Sequence, residues 1–335
     1  MKQHIHNFWN TKWILILTAG VLLGLSFPPF PLPFLIFPAF VLIFRLINLS
    51  NSAREAAYLT YPAFVIWNLI ATYWLMLATL AGGIAAILAN SAVMTIPVML
   101  QYKIQQQKLK PWLIAFLQAG CWLGYEYLHH QWDLAWPWLT LANAWANVPL
   151  LVQYISITGY WGASFWVIFS SALAYQAIKN YRRSTLIAAL TVLFIFPVFS
   201  MIKLALEPKP QPKAILEVVV VQPNFNSYQT YGGFLSSYQA TRHLLQLSDS
   251  LRTPETQLIV WPENAVQADF SNLNSFSPVA NQTKRLLTRR SKAWDATLIA
   301  GATYFQFYDR GKVPLLPYSS PNGPFLPFNA ALGFL

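Results

Sequence analysis

At 335 residues the chain is long enough for two domains, and 56% hydrophobic residues against 10% charged exclude an ordinary soluble protein, in which about 25% would be charged. The net charge of +11 does not indicate nucleic-acid binding, because the basic residues of the first half stand between apolar runs and form no groove-tracking surface. One cysteine, Cys121, excludes an internal disulfide framework; lying in an apolar run, it reads as a small packed hydrophobe.

Lys2 and Lys12 flank the start of the apolar run from Trp13 to Phe27, as in a signal peptide. Pro28-Pro29-Phe30-Pro31 follows instead of a small-residue cleavage site, so the first helix is expected to be retained. A helix crosses a bilayer with about 20 mostly apolar residues. Seven segments approach that: 10–27, 32–49, 57–80, 83–102, 111–128, 150–178 and 185–204. Lys12, Arg45, Arg54, Lys103, Lys108, Lys110, Lys179, Arg182 and Arg183 all fall in or beside alternate connections; the others, 28–31, 81–82 and 129–149, hold no Lys or Arg. Positive loops stay in the cytoplasm, which puts the N-terminus inside and everything after the seventh span outside.

The connection 129–149 carries His129, His130, Trp132, Asp133, Trp136 and Trp138. It reads either as an aromatic belt anchor or as the lipid-facing part of an active-site mouth. Two adjacent histidines lack partners at ligand spacing, so no metal is expected. Glu126, ionisable and inside a span, is a functional or structural-polar candidate.

Polarity rises near Glu207. The prolines of 207–213 cannot continue a helix and predict a stiff linker between a transmembrane domain, 1–206, and a domain in 214–335. Leu216 to Gln222 predicts a buried strand. Ala240, Leu244, Leu247 and Leu251 form the apolar stripe of a helix. Leu258 to Trp261 is a second strand, followed at once by Pro262-Glu263-Asn264. Ser277-Pro278 opens a helix bearing Lys284, Arg285, Arg289, Arg290 and Lys292, either a solvated face or a contact for anionic headgroups. Residues 297–303 form a third strand and 329–333 open a fourth. This alternation predicts α/β layers, with chemistry beyond the carboxyl ends of the strands. Glu263 sits there; Pro262 and an aromatic neighbour, Trp261, suggest a carboxylate held in a partly apolar pocket as a general base.

In order along the chain, Val218-Val219-Val220-Val221-Gln222-Pro223-Asn224, Val260-Trp261-Pro262-Glu263, Ile299-Ala300-Gly301-Ala302 and Phe328-Asn329-Ala330-Ala331 resemble the opening blocks of the nitrilase (carbon–nitrogen hydrolase) superfamily. Behind a multi-span half with Ser26-Phe27-Pro28-Pro29-Phe30, Glu126, Trp136-Pro137-Trp138-Leu139 and Gly159-Tyr160-Trp161-Gly162-Ala163-Ser164-Phe165, they resemble the apolipoprotein N-acyltransferase family. The resemblance implies about seven transmembrane helices followed by part of an α-β-β-α nitrilase-like domain, periplasmic, on a monomeric multi-pass protein of the bacterial inner membrane. It implies transfer of an acyl chain from a membrane phospholipid through a cysteine thioester to the N-terminal amine of diacylglyceryl apolipoproteins, with no cofactor. Of the family's catalytic Glu, Lys and Cys, the Glu maps onto Glu263. The Lys and Cys belong to later blocks; Lys312 and Cys121 do not match them, and an eighth span has no counterpart. The expectation is a partial chain, without the nucleophile and inactive alone. A membrane-tethered nitrilase-type amidase and a non-catalytic membrane binding or transport scaffold are the alternatives.

Reporter fusions after Lys110 and after Lys213 are expected to signal from opposite sides of the membrane, the second from outside; equal signals would overturn the topology.

Overall fold

The computed structural model describes residues 11–132, 134–208, 215–226, 229–273, 277–309 and 318–335. Lys2, Asp133, linker residues 209–213 and Lys312 lie outside the described residues. The chain divides into two compact units, Met1–Lys209 and Pro210–Leu335.

The first unit is helical. Its main helices are α1 (Lys12–Leu25), α2 (Ile36–Asn48), α3 (Ala53–Ala71), α4 (Leu80–Val93), α5 (Thr95–Gln105), α6 (Pro111–His129), α7 (Trp161–Asn180) and α8 (Arg183–Leu206). α4 and α5 form one stretch with a turn at Met94. Pro97 explains the turn: it has no amide hydrogen for the Val93 carbonyl and its ring crowds that carbonyl. Among the described residues, two stretches are long and apolar enough to cross a membrane by length and composition, Leu80–Gln105 and Arg183–Leu206. Lys12–Leu25 and Pro33–Asn48 are apolar but shorter. Polar residues such as Asn68, Gln118, Glu126 and Gln176 dilute α3, α6 and α7.

Two sequence expectations change here. The third connection is not 81–82, which lie inside α4, but the segment before Thr79, whose hydroxyl caps α4 by accepting from the Gly82 amide at 3.3 Å. The expected helix over 150–178 begins only at Trp161, because Gly159, at φ 65°, ends the short turn Ile155–Thr158 before it.

Polarity in this unit is turned inward. Asn68, Asn90, Gln101, Gln118 and Glu126 are buried, while Leu190, Phe194, Ile195 and Val198 of α8 are exposed. An apolar exterior of that extent suits hydrocarbon rather than water. The interior is aromatic, with Trp145 and Trp166 centroids 4.6 Å apart and Phe40 set edge-on to Trp122 at 5.1 Å. α1 lies close on α3 because Gly20 and Gly24 lack side chains. A Cβ would stand 2.7 Å from the Ala63 carbonyl oxygen at Gly20, and 2.6 Å from Ile70 Cβ at Gly24.

The second unit is a sheet with two helices, α9 (Ser237–Leu251) and α10 (Pro278–Trp294). Ser236 and Ser277 cap them, accepting from the amides of Gln239 and Ala280. The strands are β1 (Glu217–Val220), β2 (Thr256–Val260), β3 (Val266–Ser271), β4 (Thr297–Phe307), β5 (Tyr318–Ser320) and β6 (Gly323–Phe334), in the order β1-β2-β4-β6-β5. β1, β2 and β4 are parallel; β6 runs antiparallel to β4 and to β5. β3, absent from the sequence reading, also pairs with β4 in parallel. β2 meets β4 at Thr297–Ile299 and β3 meets it from Ala302 onward, so the two succeed one another along one edge of β4. The expectation of a strand buried on both faces is corrected at β1. Val219 is buried with Leu244, Leu287 and Trp294 of the helices, whereas Val220 is 71% exposed.

Gly20→Leu is expected to lower the thermal stability of the chain in detergent by about 1–3 kcal/mol or more, since the added side chain meets backbone rather than a movable group. An unchanged melting temperature would show that α1 and α3 separate freely.

Candidate active site around Glu263

Glu263 occupies the break between β2 and β3. Trp261 still holds the ladder, its amide donating to the Ile299 carbonyl at 2.8 Å. Pro262 has no amide hydrogen and ends it. Asn264 then turns the backbone at φ 50°, a left-handed conformation that Asn adopts more readily than most residues. This turn rests on β4 at Gly301, where a Cβ would stand 2.4 Å from the Pro262 carbonyl oxygen and 2.7 Å from Glu263 Cα. Only glycine permits that approach.

On the other side of β4, the antiparallel register sets Asn329 of β6 opposite Thr303. Asn329 Nδ2 donates to Glu263 Oε1 at 2.5 Å, and the Thr303 hydroxyl reaches Asn264 Oδ1 at 3.4 Å. Three segments that stand far apart in sequence, around 261–264, 299–303 and 328–331, thus meet at one carboxylate. One oxygen is anchored by an amide donor; among the described residues the other has no hydrogen-bond partner, which leaves it able to take a proton from a group presented to it, as a general base must. The site opens into a cleft of about 650 Å³ whose lining includes Phe225, Tyr231, Glu263, Asn264, Asp269 and Thr303.

The expected environment of Glu263 needs correction. Trp261 does not wall its pocket: the indole is 2% exposed and its N–H donates to Ser248 on α9 at 2.9 Å. Glu263 itself is exposed. The aromatic residues of the cleft are Phe225 and Tyr231. Sequence reasoning assigned no role to Asn329, Gly301, Asn264 or Asp269. The alternation Val266, Ala268, Phe270, all buried, was a legible strand signal that would have placed Asp269 at the cleft.

The other candidates lie in the helical unit. Cys121 is on α6, with Sγ 3.5 Å from the Pro97 carbonyl. Glu126, 3% exposed, accepts from Trp122 Nε1 at 3.1 Å and from the Leu141 amide at 3.0 Å, which ties the segment after His130 to α6. His129 Nδ1 accepts from the indole N–H of Trp132 at 2.9 Å. An indole only donates, so the proton of the imidazole is on Nε2, which donates to Asn90 Oδ1 at 3.0 Å. Asn90 donates on to Asn68 Oδ1 and Asn68 to the Phe64 carbonyl. His130 contacts Tyr160 and Thr140. Among the described residues no three of His, Cys, Asp and Glu gather where a metal ion would sit.

Gly301→Val is expected to push the Glu263 turn off β4. The strain, about 1–3 kcal/mol, should appear in hydrogen exchange as roughly tenfold to hundredfold faster exchange of the Trp261 amide. Unchanged protection would mean that the turn does not depend on the glycine.

Residues 19–173 match the family model of the apolipoprotein N-acyltransferase N-terminal domain. An apolipoprotein N-acyltransferase of Chlorobaculum tepidum is 26% identical over 322 residues, covering 93% of this chain and 57% of that protein. Apolipoprotein N-acyltransferase 2 of Treponema denticola is 24% identical over 289 residues (80% and 53%), and the Rickettsia typhi protein of the same name 24% over 274 (77% and 53%). The chain spans about half the length of these curated relatives. The family model thus matches inside the helical unit, and the chain is similar to the Chlorobaculum apolipoprotein N-acyltransferase over nearly its whole length.

Proposed function

We propose that this chain forms the membrane half and the Glu-bearing part of a phospholipid:apolipoprotein N-acyltransferase of the bacterial inner membrane. In this reading α1 to α8 make seven crossings, α4 and α5 together forming one, with the N-terminus cytoplasmic. The sheet unit is then the first part of a periplasmic nitrilase-like domain, and the protein acts as a monomer. The alternation of Lys and Arg supports the orientation. The exposed Val220 of β1 supports the sandwich, since an α-β-β-α arrangement covers that face with a second sheet. The observation that carries the catalytic assignment is the anchored carboxylate: Glu263 held by Asn329 over Gly301.

The chemistry follows in two half-reactions. The free oxygen of Glu263 takes the proton of a cysteine thiol, and the thiolate attacks the ester carbonyl of the phospholipid. The tetrahedral oxyanion, stabilised by a lysine, collapses to a thioester and releases the lysophospholipid as its alcohol, which recovers the proton. The N-terminal amine of the diacylglyceryl-cysteine then attacks the thioester. Glu263 accepts the amine proton and returns it to the departing thiolate, leaving an amide. The Cys and Lys of this scheme match no residue of the 335. Both substrates are lipid-anchored, so a site at the outer leaflet receives them by lateral diffusion.

In a full-length protein containing this chain, Glu263→Gln keeps the size of the side chain and removes the proton acceptor. It is expected to reduce formation of the acyl-thioester by about 10²–10⁴-fold, measured by labelling with an alkyne fatty acid, while membrane insertion is retained. The 335 residues alone are expected to take no label, because Cys121 is their one thiol and lies in α6. Near wild-type labelling of the Gln variant would leave Glu263 a structural acid.

A further inference from the structure

A groove of about 790 Å³ runs between α5 and α6. Ile96 and Leu100 of α5 and Phe116, Leu117 and Leu128 of α6 make its walls apolar. Its floor is formed by Gly120 and Gly124, where a Cβ would meet no atom within 4 Å. From Phe116 to Leu128 the lining covers about 18 Å of helix at about 1.5 Å per residue, a little more than half of the roughly 30 Å hydrocarbon core.

The two ends of the groove differ. At one end is Lys103, exposed, with Lys108 and Lys110 in the connection that follows α5. None of the three enters an ion pair among the described residues. At the other end are His129 and Trp132, and both ring nitrogens of His129 are already engaged, by Asn90 and Trp132. An anionic group therefore finds an unpaired cation at one end and no free donor of the imidazole at the other.

We propose that the groove holds an acyl chain of an anionic glycerophospholipid from the leaflet at the Lys103 end, its phosphate against the Lys103 ammonium. This rests on the reading of α5 and α6 as membrane-spanning. A polymethylene chain fits a slot left open by two glycines, and its length matches one leaflet. In the proposed orientation this leaflet is the cytoplasmic one, opposite the catalytic domain, so the bound lipid is a resident molecule rather than the acyl donor. A second copy of the chain packed along the same glycines would cover Lys103 with no acidic partner on either helix face to meet it.

The test uses the whole chain purified in mild detergent, with phosphatidylglycerol or phosphatidylcholine added and retained lipid counted by native mass spectrometry. The wild type is expected to prefer phosphatidylglycerol by about fivefold, the preference that one lysine confers on an anionic surface. Gly120→Leu with Gly124→Leu fills the groove with side chains whose Cβ atoms meet no protein atom within 4 Å and which are better helix formers than glycine; it is expected to abolish retention of both lipids with an unchanged circular-dichroism spectrum. Lys103→Gln is expected to keep retention and lose the preference. Equal retention by wild type and the double leucine variant, or a preference indifferent to Lys103, would overturn the proposal. So would disulfide-linked dimers through Cys121 that the leucines prevent, which would make the groove a seam between copies. Release of the chain from membranes by alkaline carbonate would instead overturn the spanning reading on which the site rests.

Discussion

The close approach of the Pro262–Asn264 turn to Gly301 is the contact on which the geometry of the sheet unit's site depends. β2 and β3 share one edge of β4, and the chain between them must cross that edge without a side chain in its way. Because the turn lies flat against β4, Glu263 projects over the strand far enough to meet Asn329, two strands away from β2. Any bulk at 301 would lift the turn and separate donor from acceptor. The hydrogen bond is thus a consequence of backbone packing, and the carboxylate is positioned by the sheet rather than by a flexible loop.

The helical unit obeys a different constraint. Polar groups removed from water must find partners inside the chain. Asn68, Asn90 and His129 do so in series, each donating to the next acceptor until the Phe64 carbonyl is reached. The chain links α3, α4 and the end of α6, three helices that share few other polar contacts. Glu126 does the same for the irregular segment after α6 by accepting from the Leu141 amide. In the sequence Glu126 reads as either functional or structural-polar, and His129 as part of a belt anchor or an active-site mouth; their hydrogen bonds join helices and the irregular segment after α6.

The two units therefore present polar groups in opposite ways. In the helical unit Asn68, Asn90 and His129 are engaged in internal hydrogen bonds, and residues such as Leu190, Phe194 and Ile195 leave the outside apolar. In the sheet unit Glu263 keeps one oxygen without a partner among the described residues, beside an open cleft.

Composition and local pattern determined a good deal. Apolar runs, Ser-Pro and Ser caps, and 3-to-4 residue spacings depend on neighbours within a turn or two, so the helices around α1, α6, α8, α9 and α10 were legible, as was the change from helix to strand near residue 215. Glu263 was legible as a residue just past a strand. What the sequence left open depends on residues far apart in the chain. The helix over 150–178 was broken at Gly159 within a stretch whose average polarity still looked continuous. β3 carried a legible alternation in Val266, Ala268 and Phe270, but its pairing with β4, more than thirty residues on, lay beyond any local pattern. The aromatic neighbour of Glu263 changed from Trp261 to Phe225 and Tyr231 because the turn at Asn264 rotates the chain after Trp261 has entered the core. Asn329 became a partner of the carboxylate only through the antiparallel register of β6 on β4. Local propensity acts over a few bonds and can be read along the chain; register and close approach are set by which surfaces pack, and tertiary structure alone decides them.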